Sequence, residues 1–318
     1  MPFTRDSTTV TVLGGGGFVG RYVCEALLKA GVRLRVAQRD PRRAYFLQPL
    51  GQVGQVGLVR ADMRKPETID RAVEGSAAVI NLVGAFSGDL RAVHGTGAGR
   101  AAKAARATGA GAFVQVSAIG ADADSPSYYG QTKAEGEAAV RSAFPSATII
   151  RPSVLFGPED DFTNRFARLA QFPILPIVAP RTRLQPLHVR DLGNAVAMAA
   201  LEPKRFGGKT FELGGPEAMT MRQLVERIAA LAGQSPSIVE LPDFAAAAIA
   251  AFGFLPGAPL TRDQWLMLQK DNVPAARAKG IDPFGIAPTA LSAAGEWLSR
   301  FRKGGRFAPR AALSEPGA

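Results

Sequence analysis

The stretch Val10-Thr11-Val12-Leu13-Gly14-Gly15-Gly16-Gly17-Phe18-Val19-Gly20 decides the fold. A short β-branched run stops in four glycines and a helical pattern begins at once, with Gly14, Gly17 and Gly20 three residues apart. This is the strand–turn–helix that seats a dinucleotide pyrophosphate on a helix N-terminus. In such a turn Gly14 allows the tight reversal, Gly17 lets backbone approach the phosphates, and Gly20 lets the helix pack against the strand.

Working outward, apolar alternation predicts strands at 9–13, 32–38, 56–61, 77–83, 112–117 and 147–151. Helical patterns lie between them at 18–30, near 66–73, at about 89–108 and at 127–143. Strands alternating with helices predict an α/β fold, a doubly wound parallel Rossmann sheet. After Pro152 the pattern changes. Pro152, Pro158, Pro173, Pro176, Pro180 and Pro186 punctuate a stretch that reads as loop with one helix near 161–171. A helix at 189–201 and a strand at 209–213 follow, and from Thr220 the chain reads as mostly helical. The expected organisation is a dinucleotide-binding domain over 1–151, completed by about 186–215. A smaller, mostly helical lobe takes 152–185 and 216–303, and 304–318 is a loose tail.

Composition narrows the partners. Of 318 residues, 47% are hydrophobic and 20% charged, which fits a soluble globular protein. The single cysteine, Cys24, excludes an internal disulfide and suits a reducing compartment. No apolar segment of signal-peptide length precedes the first strand, and no window has the length of a spanning helix. The nearest, Phe244 to Leu255, is bracketed by Pro242 and Pro256 and reads as a core or interfacial helix. The expected location is cytoplasmic, or peripheral on the cytoplasmic side of a bacterial inner membrane. The net charge of +11 gathers at Arg39, Arg42 and Arg43 and again at Arg300, Arg302, Lys303, Arg306 and Arg310. That balance suits an anionic membrane surface or an acidic protein partner. Nucleic acid is not expected, because no aromatic-interleaved RNA-binding motif or zinc pattern is present. His94 and His188 share no ligand spacing with a carboxylate or cysteine, so no metal site is expected.

Arg39 stands just past the second strand, nineteen residues after Gly20. An acid there would bind a ribose 2′-hydroxyl, whereas an arginine suits a 2′-phosphate. Arg39, with Arg42 or Arg43 nearby, therefore favours NADPH/NADP over NAD. Asp62, after the third strand, could accept from an adenine amino group or equally cap the next turn. The fourth strand ends Asn81-Leu82-Val83-Gly84, where the glycine would let backbone pass close to a cofactor.

The catalytic candidates are Ser117, Tyr129 and Lys133. Tyr129-Gly130-Gln131-Thr132-Lys133 puts the phenol and the amine one helical turn apart on one face, and Ser117 ends the fifth strand. A phenol beside a fixed ammonium is expected to have a lowered pKa and to exchange a proton near neutral pH. The lysine can also hold a nicotinamide ribose, and the serine can orient a substrate carbonyl.

With Gly14-x-x-Gly17-x-x-Gly20, Asp62, Ser117, Tyr129-x-x-x-Lys133 and Arg151-Pro152-Ser153-x-x-Phe156-Gly157-Pro158, residues 9–215 resemble the short-chain dehydrogenase/reductase superfamily. The branch is the extended and atypical one, the epimerase/dehydratase type. Gln185-Pro186-Leu187-His188-Val189-Arg190-Asp191-Leu192 resembles that branch's strand-to-helix element. The cofactor-binding set on this reading is Gly14, Gly17, Phe18, Val19, Gly20, Arg39, Arg43, Asp62, Asn81, Val83, Gly84, Lys133, Pro152 and Val154. Farther on, the run from Leu260 through Thr261-Arg262-Asp263-Gln264-Trp265 to Asn272, then Gly280-Ile281-Asp282-Pro283, resembles the NADPH-binding accessory subunits of respiratory complex I and their bacterial relatives. The resemblance implies NADPH binding away from the redox chain and docking to other subunits of the complex. Ser117, Tyr129 and Lys133 are nevertheless all present, so a second class stays open. That class is an NADP-dependent reductase, dehydrogenase or sugar-nucleotide-type epimerase acting on a small carbonyl, quinone-like or isoprenoid substrate. The segment after 240 is expected to be a docking region.

Overall fold

The computed structural model describes residues 8–253 and 260–302. Its first half runs β1 (Thr9–Leu13), α1 (Phe18–Lys29), β2 (Arg33–Gln38), β3 (Val56–Arg60), α2 (Pro66–Val73), β4 (Ala78–Asn81), α3 (Gly97–Ala107), β5 (Ala112–Val116), α4 (Tyr128–Ala143) and β6 (Thr148–Pro152). Then follow β7 (Leu155–Phe156), α5 (Asp161–Leu169), β8 (Ile174–Ile177), β9 (Arg183–Leu184), β10 (Leu187–His188), α6 (Val189–Leu201), α7 (Pro203–Phe206) and β11 (Thr210–Leu213). The last described elements are β12 (Met219–Thr220), α8 (Met221–Leu231), β13 (Ser237–Glu240), α9 (Asp243–Ala251), α10 (Arg262–Met267) and α11 (Gly295–Leu298).

A seven-stranded parallel sheet in the order β11-β6-β5-β4-β1-β2-β3 forms the centre. Neighbouring strand residues point to opposite faces, and both faces are dry. Val12, Ile80, Val114 and Ile150 pack with Val23 and Leu27 of α1 and Leu192 and Val196 of α6. Leu13, Val79, Phe113 and Ile149 pack the other way, with Ile69 of α2, Ala101 of α3 and Val140 of α4. Burial on both faces is why these strands read as continuous apolar runs. The chain winds outward in one direction from β1 and in the other from β4. The order therefore reverses between them, which is where such sheets open a crevice for ligand.

A third cluster gathers Phe156, Leu175, Ile177, Leu184, Met219, Leu224, Ile228, Leu291 and Leu298 in the C-terminal lobe. This lobe is less helical than its sequence suggests. Three two-stranded ladders, β10–β7, β12–β9 and β13–β8, stitch the proline-rich stretch to the later segments. Residues 268–290 are mostly irregular, broken by a short 3-10 helix at Asp282–Phe284. The expected helix over 89–108 also differs: a π-helical turn at Arg91–Thr96 leads into α3. No helix among the described residues is long and apolar enough to cross a membrane.

Candidate nucleotide site and its Ser–Tyr–Lys neighbourhood

The glycine turn lies at the reversal point. Gly14 has φ of +81°, a left-handed conformation that glycine takes without strain. Its N–H donates to the Ala37 carbonyl (2.8 Å), and its own carbonyl accepts from Gly17 N–H (3.1 Å). Val83 packs against it from the end of β4, 3.3 Å from where a Gly14 Cβ would sit. A Cβ on Gly20 would overlap the Gly15 carbonyl, so this glycine sets how closely α1 follows the turn. The first turn of α1 has no side-chain cap and no acidic residue. Its positive end, with the amides of Phe18, Val19 and Gly20, is dressed for an anion. That arrangement fits a nucleotide pyrophosphate.

At the end of β2, Gln38 is a residue the sequence reading missed. Its Oε1 accepts from Gly16 N–H (2.9 Å) and its Nε2 donates to the Asp40 carbonyl (2.8 Å), bracing the glycine turn from the side. Arg39 and Arg43 are exposed and have no ion-pair partner among the described residues. Arg42, by contrast, is paired with Asp40 (3.0 Å), whose carboxyl it holds below the usual range. Asp62 takes the turn-capping alternative: it accepts from Arg64 N–H (3.0 Å) and from the Arg64 guanidinium (2.7 Å). This pairing, helped by the charge of Arg39, brings its pKa down to about 2. Asn81 is buried, donating to Gln115 Oε1 (2.9 Å) and accepting from Val83 N–H (3.1 Å), so its side chain fixes the loop after β4. Gly84 faces the amine of Lys133, 3.7 Å from the place of its missing Cβ.

Ser117, Tyr129 and Lys133 are all buried, at 4%, 9% and 6% exposure. Ser117 Oγ has no hydrogen-bond partner, an unmet polar group of the kind a bound ligand can satisfy. Lys133 Nζ lies 5.5 Å from the Tyr129 ring centroid and 3.5 Å from the Val116 carbonyl. The expected activation of the phenol does not appear. Burial, with a contribution from Asp263, pushes the Tyr129 pKa up, and burial brings Lys133 down to about 8. Desolvation decides both groups, because burial disfavours the charged form of the phenol and of the amine alike.

Two further residues surround Tyr129. Phe86 stacks on its ring (centroids 4.9 Å, 13° between planes) while staying 67% exposed itself. His94 meets it edge-on at 5.3 Å. His94 Nε2 accepts from Ala85 N–H (3.0 Å), so the proton sits on Nδ1 and donates to Thr132 Oγ1 (3.1 Å). Thr132 Oγ1 in turn donates to the Tyr129 carbonyl (3.0 Å). Burial pushes the His94 pKa down to about 3, so this chain of bonds holds a neutral ring. A histidine inside a stretch read as alanine-rich helix gave no sequence signal. The π-helical turn that aims it inward is of a kind often found at functional sites.

The run after Leu260 also reaches this neighbourhood. Asp263 accepts from the N–H groups of Tyr128 (2.7 Å) and Tyr129 (3.1 Å). Asp271 accepts from Arg183 N–H (2.8 Å). Asn272 Oδ1 accepts from Ser153 Oγ (2.8 Å) and Val154 N–H (2.9 Å), and its Nδ2 donates to the Ile119 carbonyl (3.4 Å). The Val154 amide is thus already engaged, and the Pro152 carbonyl accepts from Ile119 N–H (3.1 Å). Within the segment expected to dock a partner, Asp263, Asp271 and Asn272 are thus bonded inside the chain. Asp263 binds the start of α4, Asp271 the first residue of β9, and Asn272 the loops that follow β5 and β6.

Residues 14–169, from the first glycine of the turn to the end of α5, match the family model described as NAD(P)H-binding. With the parallel sheet, this makes the molecule a Rossmann protein with an NAD(P)H-binding domain. The NADPH-dependent quinone oxidoreductase QOR2 of Escherichia coli, crystallised with NADPH, superposes with a TM-score of 0.74 at 20% identity, over 91% of this chain and 99% of that one. Mitochondrial NADH dehydrogenase (ubiquinone) 1 alpha subcomplex subunit 9 of Rattus norvegicus is 33% identical over 295 residues, 90% of this chain and 78% of its own. The chain belongs to that subunit's family. It spans 65 to 78% of the length of the curated proteins of that name. The ceramide reductase of Caulobacter vibrioides is 32% identical over 240 residues, 74% of either chain.

Proposed function

We propose that the chain binds NADP(H) and serves as an accessory or assembly subunit of a membrane-bound NADH:quinone oxidoreductase. The observation that carries this reading is the identity to alpha subcomplex subunit 9 over 90% of the chain. The closed state of the Ser–Tyr–Lys group supports it, since a buried Ser117, a covered Tyr129 and a phenol with raised pKa suit a nucleotide held in place. When bound, the nucleotide supplies a hydride donor or acceptor. Around it, the amides of the first turn of α1 hold the pyrophosphate, Lys133 holds the nicotinamide ribose, and Arg39 and Arg43 bind the 2′-phosphate. The outward face of α9 is the docking element. It buries Ala246 and Ala250 but leaves Phe244 and Phe252 at 78% and 62% exposure.

The test is purification from native membranes, with mass spectrometry of the nucleotide extracted from the purified chain. Co-migration with the large oxidoreductase and a stoichiometric NADP(H) are expected. A chain found only in the soluble fraction at low salt, apart from any large complex, overturns the subunit reading. The cofactor preference has its own test. Arg39→Ala should weaken NADPH by about 1.5–3 kcal/mol, the value of a charge-assisted hydrogen bond, and leave NADH unchanged in titration calorimetry. Equal affinity of the unaltered protein for both cofactors would remove the phosphate role.

The second reading is an NADP-dependent reductase of a lipid-like or quinone-like carbonyl. The likeness to a ceramide reductase, together with an intact Ser117, Tyr129 and Lys133, favours it. Ser117 then orients the carbonyl and Tyr129 donates the proton. Tyr129→Phe should lower turnover roughly 10²-fold or more while NADPH affinity barely moves. Unchanged turnover excludes the phenol as the acid.

A further inference from the structure

We propose that Asp263 is a positioning residue for Tyr129, which makes the geometry of the Ser–Tyr–Lys group depend on the C-terminal lobe. The inference rests on the reading that Tyr129 serves the nucleotide site.

The two helices that meet at that site begin in opposite ways. The first turn of α1 has no side-chain cap. The first turn of α4 is fully occupied. Ser127, its local cap, accepts from Gly130 N–H (3.2 Å), and the carboxylate of Asp263 takes the N–H groups of both Tyr128 and Tyr129. A carboxylate at a helix N-terminus also meets the positive end of the helix dipole, so the contact is favourable twice over. Its partner lies 134 residues away in sequence, so no local capping pattern produces it.

Asp263 is itself rigidly mounted. It stands in the first turn of α10, which is closed by a reciprocal pair. Thr261 Oγ1 accepts from Gln264 N–H (3.2 Å), and Gln264 Oε1 accepts from Thr261 N–H (3.0 Å). Downstream, Lys270 reaches Asp122 (3.5 Å), and Asn272 holds Ile119 and Val154. Residues 261–272 thus form a strap tied at one end to the start of α4 and at the other to the loop that follows Ser117. Tyr129 is held on its amide by Asp263, on its carbonyl by Thr132, and on its ring by Phe86 and His94. Of these holds, only that of Asp263 comes from the C-terminal lobe.

The test uses the full chain carrying 3-fluorotyrosine, whose four sites are Tyr22, Tyr45, Tyr128 and Tyr129, with the Tyr129 fluorine line assigned by its loss in Tyr129→Phe. It needs neither nucleotide nor turnover, so its failure is separate from any failure of the functional reading. In Asp263→Ala the Tyr129 line should shift or split while that of Tyr22 stays in place. Amide hydrogen exchange at Tyr128 and Tyr129 should quicken about tenfold or more. Asp263→Asn, which keeps one acceptor, should return the line toward its original position. A Tyr129 line that does not move overturns the proposal even if the melting temperature falls, because Asp263 then acts only as a cap. Should Asp263→Ala fail to fold, Asp263→Leu, which keeps the bulk of the side chain but offers no acceptor, decides in its place: a Tyr129 line at the original position overturns the proposal.

Discussion

His94 is the side chain whose burial has the clearest consequence in solution. Its ring is neutral in the fold, with a pKa brought down to about 3 by burial, against an ordinary value near 6.5. The unfolded chain therefore binds the extra proton first as pH falls. The contribution of the neutral ring is complete above about pH 6.5 and is lost toward pH 3, at a slope of up to about 1.4 kcal/mol per pH unit. Urea denaturation across that range should show the slope in the unaltered protein. His94→Gln should remove its share and leave the slope due to carboxylates and to His188, whose pKa burial also lowers; parallel curves for the two proteins would refute the assignment. The residues that announced themselves in the sequence were the glycines, Ser117, Tyr129 and Lys133, because a turn and a helical spacing mark them. Gln38, Phe86 and His94 did not. Each acts on a residue brought to it by the sheet, and no local pattern encodes such a contact. The lowered phenol pKa was also misjudged, since spacing reports which groups are near but not how dry they are.

The helix–helix seam that supports the site depends on a residue with no side chain. A Cβ on Gly136 of α4 would overlap the carbonyl of His94 in the π-helical turn. Gly136→Ala should therefore push α4 away from that turn and cost about 1–3 kcal/mol, the usual penalty of overpacking a tight seam. A melting temperature equal to that of the unaltered protein would mean that the seam relaxes freely. The strands of the central sheet and the helices between them were legible, because each is several residues of consistent pattern buried on both faces. The π-helical turn was not, since six residues are too short a run for its spacing to stand apart from that of an α-helix. Nor were the ladders of the C-terminal lobe. They are two to four residues long and interrupted by prolines, too short for alternation to register.

The molecule joins a nucleotide half to a lobe that both completes it and faces outward. Arg300 donates to Asn164 Oδ1 (2.7 Å), and the Phe301 carbonyl accepts from Gln171 (3.2 Å) and Gln234 (2.7 Å). The first basic residues of the C-terminal cluster therefore belong to the lobe, while Lys303, Arg306 and Arg310 lie outside the described residues. Deleting 303–318 should leave folding intact and lower recovery in a membrane fraction, at about 1 kcal/mol per basic residue near anionic head groups. High salt should release the full chain in the same way, and salt-independent recovery of both forms would exclude a charge-based contact. The doubly wound sheet was readable from repetition along the chain, whereas the strap was not, because its partners are more than a hundred residues apart. That separation also has a meaning in time. Asp263 follows Tyr129 by 134 residues, so at roughly 5–20 residues per second it leaves the ribosome about 7–27 seconds later. For that interval the nascent nucleotide half has its glycine turn but an unsealed α4.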